Sequence, residues 1–301
     1  MATFQVVGEA LVDIVNSVAH PGGSPLNVAV GLGRLGHEVT LQTGIGDDEN
    51  GRKIIEHLTE SHVSLAQRCV SEEATGSATV NLGDYGDATY EFDLNWSLDS
   101  LETTDAQFLH TGSIAAFSKQ SASRIQELFT ASPAHQLRSF DPNLRPALAE
   151  KRRIVISRLE KFYALSHVVK LSHEDALWLY PGWDTARVLG HILDFGAKIA
   201  VMTFGVQGAE LRTDRHEVAL PSLAVHVADT VGAGDAFMSG LLHAIASGPL
   251  HSALLDDAPM HEADLETAVQ IATASAALTV QRTGANPPSL EELTGLMATH
   301  R

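Results

Sequence analysis

A chain of 301 residues with 20 lysines and arginines against 37 aspartates and glutamates carries a formal net charge of −17. Each phosphate contact on a nucleic-acid duplex needs a cation, so this charge excludes a duplex-binding surface, though not a small anion held by backbone amides. A hydrophobic share of 44% suits a globular protein with a substantial core, and the single cysteine, Cys69, excludes an intrachain disulfide and suits a reducing cytoplasm.

The opening MATFQVVGEALVDIVN is apolar but holds Glu9 and Asp13 and has no basic n-region, so it reads as a first strand and not as a signal peptide. A helix over about 25–36 leads to the strand VTLQTG, and a second helix over about 50–61 follows. Residues 75–98, TGSATVNLGDYGDATYEFDLNWSL, are two alternating runs around Gly83, Asp84, Gly86 and Asp87, which predicts a β-hairpin with one half-buried face. Inserted in an α/β chain, it suits a lid, together with about 11–20. The strands FLHTGS, LRSFDPN, HVVKLS and AKIAVMTFG then alternate with helices at about 119–131, 147–163, 173–180 and 184–196. Strands this apolar predict a mostly parallel sheet covered on both faces by helices. Many end in Gly, Asp, Asn or Ser, at the carboxyl edge where open α/β sheets form their ligand crevice. No repeat or linker marks a boundary, so 1–301 reads as one α/β domain. The uncharged run Thr267 to Gln281 is too short and too polar to cross a bilayer, and the chain is expected to be soluble and cytoplasmic.

Two glycine motifs are decoys. GLGRLG at 31–36 has dinucleotide-site spacing but falls late in a helical pattern, where Gly31 and Gly33 read as close-packing positions and Gly36 as a helix C′ residue. GDDENGRK at 46–53 lacks the Gly-Lys-Ser/Thr ending of a Walker loop. DTVGAGD at 229–235 is different, because a helical pattern from about Ala236 to Ser247 follows at once. Gly232, Ala233 and Gly234 then present amides at the positive end of a helix. Asp235, in the first turn, can take a proton from an attacking hydroxyl while the amides steady a transferring phosphoryl group. Its bland alternative is a plain helix cap.

DTVGAGDAFMSGLL resembles the C-terminal signature of the PfkB (ribokinase-like) family of ATP-dependent sugar kinases, and PGGSPLNVAVGLGRLG resembles its N-terminal signature. GEALVD, the hairpin, FDPNLRPAL, VVKLSHED and TFGVQGAEL fall in the family's order between and around them. The resemblance implies a ribokinase-like three-layer α/β/α domain with a small β-sheet lid, working with ATP and magnesium. Asp235 would be the catalytic base, Gly232, Ala233 and Gly234 the anion hole, and Asp13, Gly22, Gly23 and Asn27 ligands of sugar hydroxyls. Without the resemblance, Gly22–Gly23 is a turn and Asn27 a helix-start residue after Pro25. Lys170, Ser172, Thr203, Gly205 and Gly208 would line the nucleotide side, with Ala272–Val280 and QRTGANPPS bordering the adenine. Asp229 stands where some relatives bind a monovalent cation, so potassium is a candidate cofactor; a turn aspartate is the other reading.

The family's N-x-x-E is SHED here, with Ser172 for Asn and Asp175 for Glu. The magnesium role, through water, falls to Asp175 or its neighbour Glu174. GEALVD and FDPNLRPAL resemble fructokinases, with 2-keto-3-deoxygluconate kinase or ribokinase as alternatives on the same fold. Asp141 and Asn143 could line the crevice, and Arg145 could meet phosphate or form a surface ion pair. Segments 11–34 and 75–98 contain one lysine or arginine, Arg34, which favours an uncharged sugar. A silent sugar or nucleotide sensor would need loss of the base or the glycines, and both are intact. The resemblance further implies a homodimer through the lid.

Overall fold

The computed structural model describes residues 1–15, 18–82, 88–94, 98 and 101–299. The run expected as one strand over 4–15 is two. Thr3–Val7 joins a nine-stranded sheet, and after Glu9 and Ala10 the chain enters Leu11–Val15, in a separate four-stranded sheet. From one edge, the large sheet runs Glu217–Leu220, Ala209–Arg212, Ile199–Thr203, Val168–Ser172, Leu137–Asp141, Phe108–Gly112, Thr3–Val7, Glu38–Gln42 and Val63–Leu65. All neighbours pair parallel except the hairpin Ala209–Arg212 and Glu217–Leu220, which closes one edge antiparallel.

Alternate residues of each buried strand feed opposite faces. Val6, Leu137, Val168 and Ile199 pack with the helices Ser24–Arg34, Ala233–Ser247 and Glu262–Thr279. Val7, Phe140, Val169 and Ala200 pack with Ala122–Ala131, Arg152–Leu165 and Thr185–Asp194 on the other face. This is the expected three-layer arrangement. The small sheet runs Val18–Gly22, Leu11–Val15, Ser77–Leu82 and Ala88–Asp93, so the expected hairpin pairs with the chain's second strand. The turn read at Gly83, Asp84, Gly86 and Asp87 lies outside the described residues.

Several boundaries differ from expectation. The helix expected from 147 starts at Arg152, after a short 3₁₀ turn at Pro146–Leu148, and that expected from Ala236 starts at Ala233. Alternation too brief to register in sequence hid the edge hairpin Ala209–Arg212 and Glu217–Leu220. No described helix is long and apolar enough to cross a membrane.

The decoy glycines have the packing role expected of them. A side chain at Gly31 would collide with the Ser239 side chain of the helix Ala233–Ser247, so that side chain packs directly on bare backbone at Gly31. This contact sets the height of that helix's first turn against Ser24–Arg34. Gly31→Val should therefore lower unfolding stability by about 1–3 kcal/mol through overpacking, read as a shifted urea midpoint with unchanged m; wild-type stability in this variant would refute the close-contact reading.

Candidate active site

The loop before the helix Ala233–Ser247 turns sharply at Gly232, whose φ of 75 and ψ of 0 lie in the left-handed region. A Cβ there would also stand 2.6 Å from that of Ala285. Among the described residues, the amides of Gly232, Gly234 and Asp235 have no protein acceptor. Ala233 departs from expectation: its amide donates to the Thr230 carbonyl at 3.2 Å, which closes the turn. The open amides are thus those of 232, 234 and 235.

Asp235 is 5% exposed. Its Oδ1 accepts the Ser24 hydroxyl at 2.6 Å and Asn143 Nδ2 at 3.1 Å, while Oδ2 accepts Asn27 Nδ2 at 2.8 Å. A carboxylate offers about four lone-pair sites, so one acceptor position, on Oδ2, stays open. Asn27 Oδ1, on the same amide, is buried and has no partner. The second open acceptor therefore lies on the side chain that is itself bonded to Asp235.

Asp13, half-buried on Leu11–Val15, lies against Gly22, where a side chain would collide with its carboxylate. Burial raises Asp13, while Arg145 and His20 oppose that and Asp235 adds to it. Gly23 opens the helix Ser24–Arg34 as its cap residue. Asn143 Nδ2 also reaches Ser24 Oγ at 2.9 Å. Arg145, expected to meet phosphate or an ion-pair partner, turns Nη1 back onto the Asn143 carbonyl (3.0 Å) and Oδ1 (2.6 Å).

Ser172 and Asp175 cap the helix His173–Leu179 reciprocally: Ser172 Oγ accepts the Asp175 amide at 3.0 Å, and Asp175 Oδ2 accepts the Ser172 amide at 2.9 Å. Asp175 Oδ1 takes the Leu144 amide at 2.8 Å, tying the DPNLR loop to this cap. Glu174, on the same turn, is exposed. Among the described residues no group of three or more His, Cys, Asp or Glu side chains could hold a metal ion.

The profile of the pfkB family carbohydrate kinases matches residues 6–293. The chain belongs to that family. A fructokinase of Rhizobium leguminosarum bv. trifolii is 33% identical over 252 residues, 78% of this chain and 77% of that protein. Among solved structures, a fructokinase with bound ATP from Xylella fastidiosa superposes with a TM-score of 0.85 at 27% identity, over 99% of this chain and 98% of that one. A double mutant of the Vibrio cholerae O395 fructokinase, in a fructose, ADP and potassium ion bound form, gives a TM-score of 0.81 at 26% identity, over 99% and 98%.

In this carbohydrate kinase, Thr203 ends Ile199–Thr203, two strands from Leu137–Asp141, and Gly205 and Gly208 follow at φ of 55 and 104. Asp229 lies just before the Gly232 turn: Oδ1 accepts the Val231 amide at 3.1 Å and Oδ2 the Gly284 amide at 2.8 Å. Burial works against its charge, but those amides and that of Thr230 prevail and hold it below the usual aspartate range. Ser24 escaped the sequence reading because the letters GGSP mark only a helix start. Glu9 escaped it as one polar residue in a strand.

Asp141 corrects an expectation. It does not line the crevice but lies fully buried beneath it, with Lys170 Nζ 2.8 Å from its Oδ2. Burial pushes its carboxyl up to about 6 against the pull of Lys170, with Asp175 and Asp235 adding to the rise. Burial would lower Lys170, but Asp141, Asp235 and Asp175 together hold it raised. Lys170 Nζ donates to the Gly234 carbonyl at 3.3 Å, so this cation sits directly under the open amides. Because the folded-state pKa of Asp141 lies above the ordinary 3.8, its contribution is full below that value and is lost as pH rises through about 6. Lys170→Met should therefore cost about 3–5 kcal/mol at pH 8 and distinctly less near pH 5, where Asp141 takes a proton. Urea titrations at both values test this, and an equal loss at the two would refute it.

Proposed function

We propose that this chain transfers the γ-phosphoryl group of ATP to a primary hydroxyl of fructose. One observation carries the reading: a carboxylate with a single open lone pair stands in the same helical turn as unoccupied amides. The sugar oxygen bonds to the γ-phosphorus, the bond to the β-bridging oxygen breaks with its electron pair leaving on ADP, and the hydroxyl proton passes to Asp235 Oδ2. The amides of Gly232, Gly234 and Asp235 then face the migrating charge, with Lys170 behind them. Asn27 Oδ1 and Asp13 accept from the sugar's other hydroxyls, and Gly22 and Gly23 leave the backbone bare beside it. Asn143 and Ser24 hold the base, Arg145 fixes Asn143, and Thr203, Gly205, Gly208 and Ser172 border the nucleotide.

Fructose is favoured by the fructokinases among the relatives, one of which is described with fructose bound. It also suits a sugar side with almost no lysine or arginine. Magnesium on the nucleotide would neutralise phosphate charge. Both Asp175 oxygens already hold amides, so Glu174 is the freer carboxylate to reach that metal through water. The small sheet acts as a lid, and its outer strands Val18–Gly22 and Ala88–Asp93 offer edges for a homodimer.

Coupled ADP release across fructose, ketodeoxygluconate, ribose and adenosine tests the substrate, with fructose expected to give the highest kcat/KM. Asp235→Asn should lower kcat on the order of 10³ or more with ATP binding nearly unchanged; an active Asn variant would remove Asp235 from the chemistry. Asp229 is the candidate side chain for a potassium site, so turnover should fall when a tetraalkylammonium salt replaces potassium, and equal rates would exclude that role.

A further inference from the structure

Glu9 has no part in the mechanism above, yet it is 1% exposed in a position where a carboxylate is costly. It accepts the amides of Ile114 at 3.3 Å and Ala115 at 3.0 Å, at the start of the short helix Ser113–Phe117. Burial prevails over its own amide, the Ala115 amide, the nearby Ser113 hydroxyl and Arg145, pushing the carboxyl up to about 7. A neutral side chain would fill this space without that cost, so a carboxylate here calls for a reason.

Two further oddities lie between Glu9 and the base. Ser113 and Asn143 hold φ of 52 and 32, in the left-handed region that residues with a Cβ rarely adopt. Strain of this kind persists where surrounding structure enforces it, and it gathers at functional sites. The two touch: Ser113 Oγ donates to the Asn143 carbonyl at 3.2 Å. Arg145 holds Asn143 Oδ1, which turns the Nδ2 end toward Asp235. Of the three donors on Asp235, Ser24 and Asn27 belong to one helix. Asn143 alone of the three comes from a different element, so it braces Oδ1 from outside that helix and leaves Oδ2 as the oxygen with the open position.

We propose that Glu9 is a positioning residue for the base: it seats Ser113, Ser113 holds the backbone of Asn143, and Asn143 keeps Asp235 turned with Oδ2 toward the acceptor hydroxyl. The inference rests on the reading of Asp235 as the base.

Glu9→Gln conserves volume but replaces two accepting oxygens with one. It should lower kcat at least about tenfold while KM for ATP stays within about twofold. The melting midpoint should shift little, because the relief of burying a neutral group offsets the one amide that loses its acceptor. In an Asn143→Ala background the same change should cost less than about threefold, since the route through Asn143 is already cut. Equal losses in both backgrounds, or an unchanged kcat, would overturn the proposal. Should Glu9→Gln not fold, Ser113→Gly breaks the same chain at a φ that glycine tolerates, and the same kcat loss is expected. Wild-type turnover on the four acceptors tests the kinase reading separately. A crystal structure of Glu9→Gln with Asn143 still 3.1 Å from Asp235 would overturn the positioning role whatever the sugar.

Discussion

A carboxylate and a set of open amides conflict when they share one helical turn. The positive end of a helix that draws a phosphate also draws an acidic side chain as a cap, and a capped helix has fewer amides to offer. Here the conflict is settled by occupying the acid elsewhere. Ser24, Asn27 and Asn143, which lie 211, 208 and 92 residues from Asp235 in the chain, take three of its lone pairs. The side chain is pulled off its own helix end, and the amides of Gly232 and Gly234 stay open.

That arrangement exists only while the packing holds. Two of the three donors ride on Ser24–Arg34, and the contact of Gly31 with Ser239 sets how closely this helix approaches Ala233–Ser247. Reacting groups tolerate misplacement of well under an ångström, and about 1 Å costs a hundredfold in rate. A methyl group added between these helices would therefore reach the proposed chemistry through the distances at Asp235, with no contact to substrate. The same dependence explains why GLGRLG imitates a dinucleotide motif: both uses need bare backbone at close approach, one to a phosphate and the other to a second helix.

The layered fold and the glycine–aspartate turn were legible because their signals are local. Apolar strands alternating with helices announce a covered parallel sheet, and consecutive glycines before a helix announce free amides. What stayed hidden was decided by contacts distant in sequence. Nothing in FDPNLR says that Asp141 turns down to Lys170 while Asn143, two residues on, turns up to Asp235. The amide of Ala233 was lost to Thr230 through turn closure, which depends on the torsions at Gly232 and not on the letters. The first strand looked continuous because both halves of FQVVGEALVDIV are apolar, although they belong to different sheets.

The buried Lys170–Asp141 pair answers a last difficulty, which is how a crevice so rich in acids accommodates a polyanion. Asp13, Asp235, Asp141, Asp175 and Glu9 gather around it, with Lys170 and Arg145 as counter-charges. A free lysine has a flexible stem and would wander toward any of these carboxylates. Asp141 pins it where Nζ meets the Gly234 carbonyl. That carbonyl belongs to the same peptide unit as the amide of Asp235. A cation on the oxygen end of a peptide polarises it and makes its N–H a stronger donor. The positive charge is thus felt at the surface of the crevice through a fixed backbone group, and the lysine itself never has to leave the core.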